Sequence, residues 1–113
     1  MKEIVAILDA ALGSVALDIF ATKNQVDLVT PVEALADIHG YARAGRVEFT
    51  RHAFVRARQR RVRVDEVVEA LAYAWACRSE EGDKWRASCV DADGDLLEVI
   101  VLIEDGLLVV TLF

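Results

Sequence analysis

No apolar run in this chain is long enough to span a bilayer. The nearest is IVAILDAALGSVALDIFA, and Asp9 and Asp18 interrupt it. Lys2 and Glu3 ahead of it do not make a basic leader. Neither a signal peptide nor a membrane helix is expected, so the expected compartment is the cytoplasm, with no membrane partner. Cysteine is scarce. Cys77 and Cys89 form no C-x-x-C redox motif and no zinc pattern, and both sit among strand-like apolar residues, where buried thiols are expected. Histidine occurs only twice, at His39 and His52, and no metal-ligand set is visible, so no metal and no cofactor is expected. His39, beside Gly40, reads as a surface residue with no catalytic role. There is no internal repeat and no low-complexity tract. What is plentiful is apolar material, 55% of 113 residues, enough for one domain with a real core.

Positive charge is in deficit overall, with a formal net charge of −6, but it is not spread evenly. Between Arg43 and Arg63 lie eight arginines and a single acid, Glu48, a local charge of +7 that leaves −13 on the other 92 residues. Average charge governs solubility, whereas a local cluster governs what docks there.

The spacing of Ile4, Val5, Leu8, Leu12, Val15 and Ile19 predicts an amphipathic helix over 3–20, followed by a connector to residue 30. Thr30-Pro31 with Glu33 reads as a helix start, and Gly45 as the stop of a second helix ending near Ala44. Val47-Glu48-Phe49 reads as an extended link. Thr50 can cap a third helix over 51–61, and a fourth is predicted over about 65–75. Turn signals at Gly82-Asp83, Asp93-Gly94 and Asp105-Gly106 then separate ACRSE, KWRASCVD, LLEVIVLIE and LLVVTLF. Helices followed by a meander of three or four antiparallel strands make an α+β fold, with 1–30 as an N-terminal helix and connector and 31–113 as the domain. The last two strands are apolar on both faces, so both sides of the sheet call for cover. The N-terminal helix can supply the second layer within the chain or across a homodimer.

DADGD at 91–95 invites a calcium reading. Counted from Asp91, positions six and twelve of an EF-hand loop fall on Leu96 and Leu102, so a solvated hairpin turn is the better reading. Trp75 and Trp85 are expected in the core rather than in a stacking platform. The sharper candidate is FTRHAFVRARQRRVRV at 49–64. In a helix starting near Arg51, His52, Arg56 and Arg60 stand at i, i+4 and i+8 and drift only about 80° around the axis. Phe54 and Ala57 are expected to point toward a core. Guanidinium forks bind phosphate oxygens and stabilise the charge of a pentavalent transition state. Histidine can move the proton of a ribose hydroxyl, with Glu48 as a candidate base, so any nuclease chemistry here would be metal-independent. Arg51, Arg58, Arg61 and Arg63 would add electrostatic positioning. The competing reading has Arg56 and Arg60 pairing with Glu66 and Glu69 of the next helix. A DNA-reading helix ranks lowest, because no helix-turn-helix glycine pattern follows.

The run Thr50, Arg51, His52, Ala53, Arg56, Arg60 followed by V-x-V-D-E-V (Val62 to Val67) resembles a small bacterial domain family of unknown function. Its members read roughly F-S-x-H-A-x-x-R-x-x-x-R-G-I-x-x-x-E-V, then an acidic turn, a strand meander and a final T-x-Y. That family is similar in fold to RelE/ParE- and BrnT-type toxins of toxin–antitoxin pairs. The resemblance covers about residues 32–113. It implies an α+β domain of ribonuclease-toxin type whose partner is RNA or an acidic, antitoxin-like protein. Two positions depart from the pattern: Arg61 stands where the family has glycine, and Phe113 where it has the final tyrosine. Toxins of the RelE type often draw a catalytic group from near the C-terminus, so the resemblance implies RNA binding more directly than cleavage. A non-catalytic interaction module, or an inactive toxin relative whose basic helix docks an acidic partner, is the alternative expectation.

Overall fold

The structure, a computed structural model, describes residues 29–113. The predicted helix over 3–20 and most of its connector lie outside the described residues. Helix α1 spans Pro31–Arg43. Thr30 caps it reciprocally: its Oγ1 accepts from the Glu33 amide, and the Glu33 carboxylate accepts from the Thr30 amide. Gly45, at φ +73°, turns the chain out of α1 in the left-handed region that glycine adopts freely.

Val47–Phe49 is a strand, β1, rather than the expected link. It is followed by α2 (Arg51–Arg60) and α3 (Val64–Ala72). Four strands follow: β2 (Ala76–Ser79), β3 (Lys84–Val90), β4 (Leu96–Glu104) and β5 (Gly106–Leu112). They pair antiparallel in chain order, as the turn signals imply. β1 joins the far edge parallel to β5, with Val47 opposite Leu107 and Phe49 opposite Val109. The sheet is therefore five-stranded and mixed, ordered β1-β5-β4-β3-β2. The α+β class holds, and the purely antiparallel meander is corrected. A three-residue strand has too little periodicity to announce itself, and its partner lies some 60 residues away in sequence.

The three helices of the described residues contribute buried residues to one core: Ile38 and Ala42 of α1, Ala53 and Ala57 of α2, and Val67 and Leu71 of α3. They meet Ala87, Cys89, Leu97, Val99, Val101, Leu107, Val109 and Leu112 from the sheet. Burying that apolar surface is the main stabilising term, at about 25 cal/mol per Å². The reverse side of the sheet carries Arg86, Glu98, Ile100 and Leu102, with Arg86 bonded to Glu98 at 2.7 Å and to Glu80 at 3.2 Å. The Arg86 guanidinium holds the Glu80 carboxyl below the usual carboxylate range, and the two carboxylates in turn raise Arg86.

Two aromatic expectations fail. α3 ends at Ala72 rather than 75, because Tyr73 and Ala74 bond back to Ala70 and Leu71 and the chain swings into β2. Trp75 is thereby left 57% exposed instead of in the core, while Trp85 packs against the core as expected. Phe54 does not follow Ala57 inward and is 47% exposed.

Candidate nucleic-acid interface

α2 is fixed to the sheet at three points. At its start, Thr50 Oγ1 accepts from the Ala53 amide at 3.0 Å and donates to the Val110 carbonyl at 2.7 Å. That makes Thr50 both the helix cap and a stitch to β5. Midway, Arg56 Nε donates to the Leu112 carbonyl at 3.1 Å, and its Nη1 donates to Gln59 at 2.9 Å. At its end, Arg60 Nη2 donates to the Leu96 carbonyl at 3.1 Å and faces Asp91 at 3.7 Å. The expected partners Glu66 and Glu69 play no part in these contacts. Both arginines reach sideways to the ends of β5 and β4 instead. They supply donors to carbonyls at the ends of those strands.

The predicted stripe of His52, Arg56 and Arg60 therefore exists as a line on the helix, but its members differ in state. His52 is exposed and makes no hydrogen bond or ion pair among the described residues, whereas both guanidiniums are committed. Arg56 also lies 5.7 Å from the centre of the Phe113 ring, and Arg86 lies 4.9 Å from it. Glu48 is not brought to the stripe. Val47 and Phe49 pack on the core, so alternation along β1 turns Glu48 to the other side of the sheet. There it lines a groove with Arg46, Leu102 and Asp105.

The remaining arginines also separate. Arg63 is paired with Asp65, whose carboxyl it holds below the usual range, and its amide donates to Glu66 at 2.8 Å. Arg46 is tied to Asp105 at 2.8 Å, and Arg43 donates to the Ala72 carbonyl at 2.9 Å. The side chains of Arg51, Arg58 and Arg61 are exposed and make no hydrogen bond or ion pair among the described residues. Two unpaired like charges on one short helix and a third at its C-terminal end make a region of positive potential on an acidic protein.

Arg61 also carries the backbone anomaly of the site. It is the one described non-glycine residue at positive φ, 58°. The Val62 amide bonds back to the Ala57 carbonyl at 2.9 Å, and the Arg61 amide bonds to the Arg58 carbonyl. With Val62 buried, this is a Schellman helix end, whose left-handed residue is usually glycine.

Elsewhere, His39 is half-buried rather than at the surface, and its Nε2 donates to the Ala74 carbonyl at 2.6 Å, joining α1 to the link between α3 and β2. Asp91, Asp93 and Asp95 offer carboxylate oxygens within 4.8 Å of one another, the one such cluster among the described residues. Asp91 Oδ1 accepts from the amides of Asp93 and Asp95 at 2.9 Å, and its Oδ2 faces Arg60, so this carboxylate is occupied in shaping the turn. Burial pushes the Cys89 thiol up to about 12, aided by Glu98, and pushes Cys77 up as well, so both are poor nucleophiles at neutral pH.

No protein-family model matches the chain, and no curated protein matches it. No helix among the described residues is long and apolar enough to cross a membrane.

Proposed function

We propose that this domain binds RNA through the solvent side of α2, as a cytoplasmic domain of RelE/BrnT toxin type. The observation that carries the reading is the unpaired state of Arg51, Arg58 and Arg61. Seven of the ten arginines are bound to carbonyls or carboxylates of the protein itself. These three are available for phosphate oxygens, which guanidinium forks bind well. Geometry supports binding better than cleavage. His52 is exposed and has no carboxylate to orient it, Glu48 faces the other side of the sheet, and Arg56 and Arg60 serve the fold. If cleavage occurs, His52 is the group that would move the proton.

The test is RNA affinity measured against salt concentration. Three phosphate contacts on a single strand predict a slope of about −2 in log K against log salt. Arg51→Ala with Arg58→Ala should flatten it, whereas binding insensitive to both salt and these substitutions would end the reading. Induced expression in a bacterial host tests the toxin half. Growth arrest with RNA loss, relieved by His52→Ala, would add catalysis, and normal growth would leave a binding domain. A second reading, an acidic antitoxin-like protein on the same helix, draws on the exposed Phe54 and Val55 between the arginines. It predicts a stable protein complex and no RNA affinity.

A further inference from the structure

Phe54 is exposed where the helical pattern predicts a core position, and its placement gives the proposed RNA site a specific form. Arg51, Phe54 and Arg58 stand at i, i+3 and i+7, which brings them to one side of α2. Phe54 turns toward the edge strand β1 and Arg51 and Arg58 toward solvent, away from the flank where Arg56 and Arg60 reach β5 and β4. The Phe54 ring rests on Phe49 with centroids 5.6 Å apart and planes tilted by 31°. Phe49 thus backs the ring and leaves much of it open to solvent.

The other exposed aromatic rings among the described residues are set differently. Tyr73 lies beneath Arg43 at 5.8 Å and lines a groove together with Glu66 and Glu69. Phe113 lies between two committed guanidiniums. Trp75 sits at the start of β2, remote from the unpaired arginines in sequence. Phe54 alone among them is flanked on its own helix by unpaired positive charge.

We infer that Phe54 is a base-stacking platform, with Arg51 and Arg58 taking phosphates on either side, so that the ligand is single-stranded RNA with at least one splayed base. This rests on the RNA-binding reading and narrows it. An aromatic ring among guanidiniums binds a strand by stacking and charge together, and the stacking half requires a base face that a duplex conceals. Arg51 and Arg58 are seven residues apart, roughly 10.5 Å along the helix axis, so a short stretch of strand can meet both and cover the ring between them. Glu48, the nearest acid in sequence, faces the reverse side of the sheet and does not repel the strand there.

The experiment uses the full chain, a fluorescein-labelled 12-nucleotide single-stranded RNA of mixed sequence, and the same strand annealed to its complement. The single strand should bind at least 10-fold tighter than the duplex at equal salt. Phe54→Leu keeps an apolar group on Phe49 and should weaken single-strand binding about 10-fold with little change for the duplex. Phe54→Trp should keep the affinity and show indole quenching on binding, which also covers the case in which Phe54→Leu folds poorly. Equal affinity for strand and duplex would overturn the platform while leaving RNA binding in place. So would Phe54→Leu binding as tightly as wild type while Arg51→Ala and Arg58→Ala still weaken it. Wild-type protein that binds neither probe would overturn both readings.

Discussion

The two flanks of α2 carry the same residue type in opposite states. On the flank toward β4 and β5, Arg56 and Arg60 spend their donors on the Leu112 and Leu96 carbonyls. On the flank toward β1 and the solvent, Arg51 and Arg58 have no partner among the described residues, and Phe54 sits between them. A charge total treats these guanidiniums as one cluster. The fold divides them into a group that builds the protein and a group that is available to a ligand. An arginine-rich segment is thus a set of separate questions about where each guanidinium finds its partners.

The largest effect that could sharpen the division is on stability. Replacing both Arg56 and Arg60 with alanine removes two anchors of α2 and strips partners from carbonyls at the ends of two strands. Allowing for their partial solvent access, each change should cost about 1–1.5 kcal/mol. The double variant should then melt about 10–20 °C lower. Arg51→Ala with Arg58→Ala should shift the melting temperature by only a few degrees, as surface changes do. Equal destabilisation by the two pairs, followed by circular dichroism, would erase the distinction. The complementary experiment measures RNA affinity. The Arg51/Arg58 pair should lose about 10-fold or more at moderate salt, whereas Arg56→Lys, which keeps the charge but not the fork, should lose less than 3-fold.

The reverse side of the sheet offers a third arrangement, in which Arg86 is held by both Glu80 and Glu98. Glu80 titrates below its ordinary range because of Arg86. A depressed carboxyl pKa contributes stability that is present above its unfolded value, about 4.5, and lost as pH falls through the folded value. Melting temperature should therefore fall on acidification below about pH 4.5, and less steeply in Arg86→Met. Carboxyl NMR should show Glu80 returning toward its ordinary value in that variant. An unchanged Glu80 titration would mean that the pair is not formed in solution.

Much of the fold was legible because it is written in local chemistry. Thr30-Pro31-Glu33, Thr50, Gly45 and the three turn dipeptides each set an end of an element, and the structure has those ends within a residue or two. β1 was not legible as a strand, since its identity depends on a distant partner. Trp75 was misplaced because the end of α3 is set by backbone turns at Tyr73 and Ala74 that no glycine or proline marks. At the site, the sequence located the helix and its arginines but not their division. Helical spacing shows which residues share a face. It does not show that the ends of β4 and β5 lie beside that face, and their carbonyls are what claim Arg56 and Arg60. Phe54 was misplaced for a related reason: the core-facing arc of α2 is narrow, filled by Ala53 and Ala57, and the ring falls outside it onto the edge strand.

The smallest expected effect gives the finest division, because one residue stands on both sides of the comparison. Arg61 holds a left-handed backbone conformation that costs a non-glycine residue roughly 1 kcal/mol, and its side chain is one of the three unpaired guanidiniums. Glycine would relieve the backbone while removing the charge. Arg61→Gly should raise the melting temperature by about 2–6 °C, somewhat offset by the entropy that glycine adds to the unfolded chain. The same variant should bind RNA a few-fold more weakly and with a shallower salt dependence. Opposite movements of stability and affinity in one variant would mean that strain is retained at this helix end in exchange for a charge at the ligand surface, as strained residues at functional sites often are. A rise in stability with unchanged affinity would place Arg61 outside the binding surface and leave Arg51, Phe54 and Arg58 to define it.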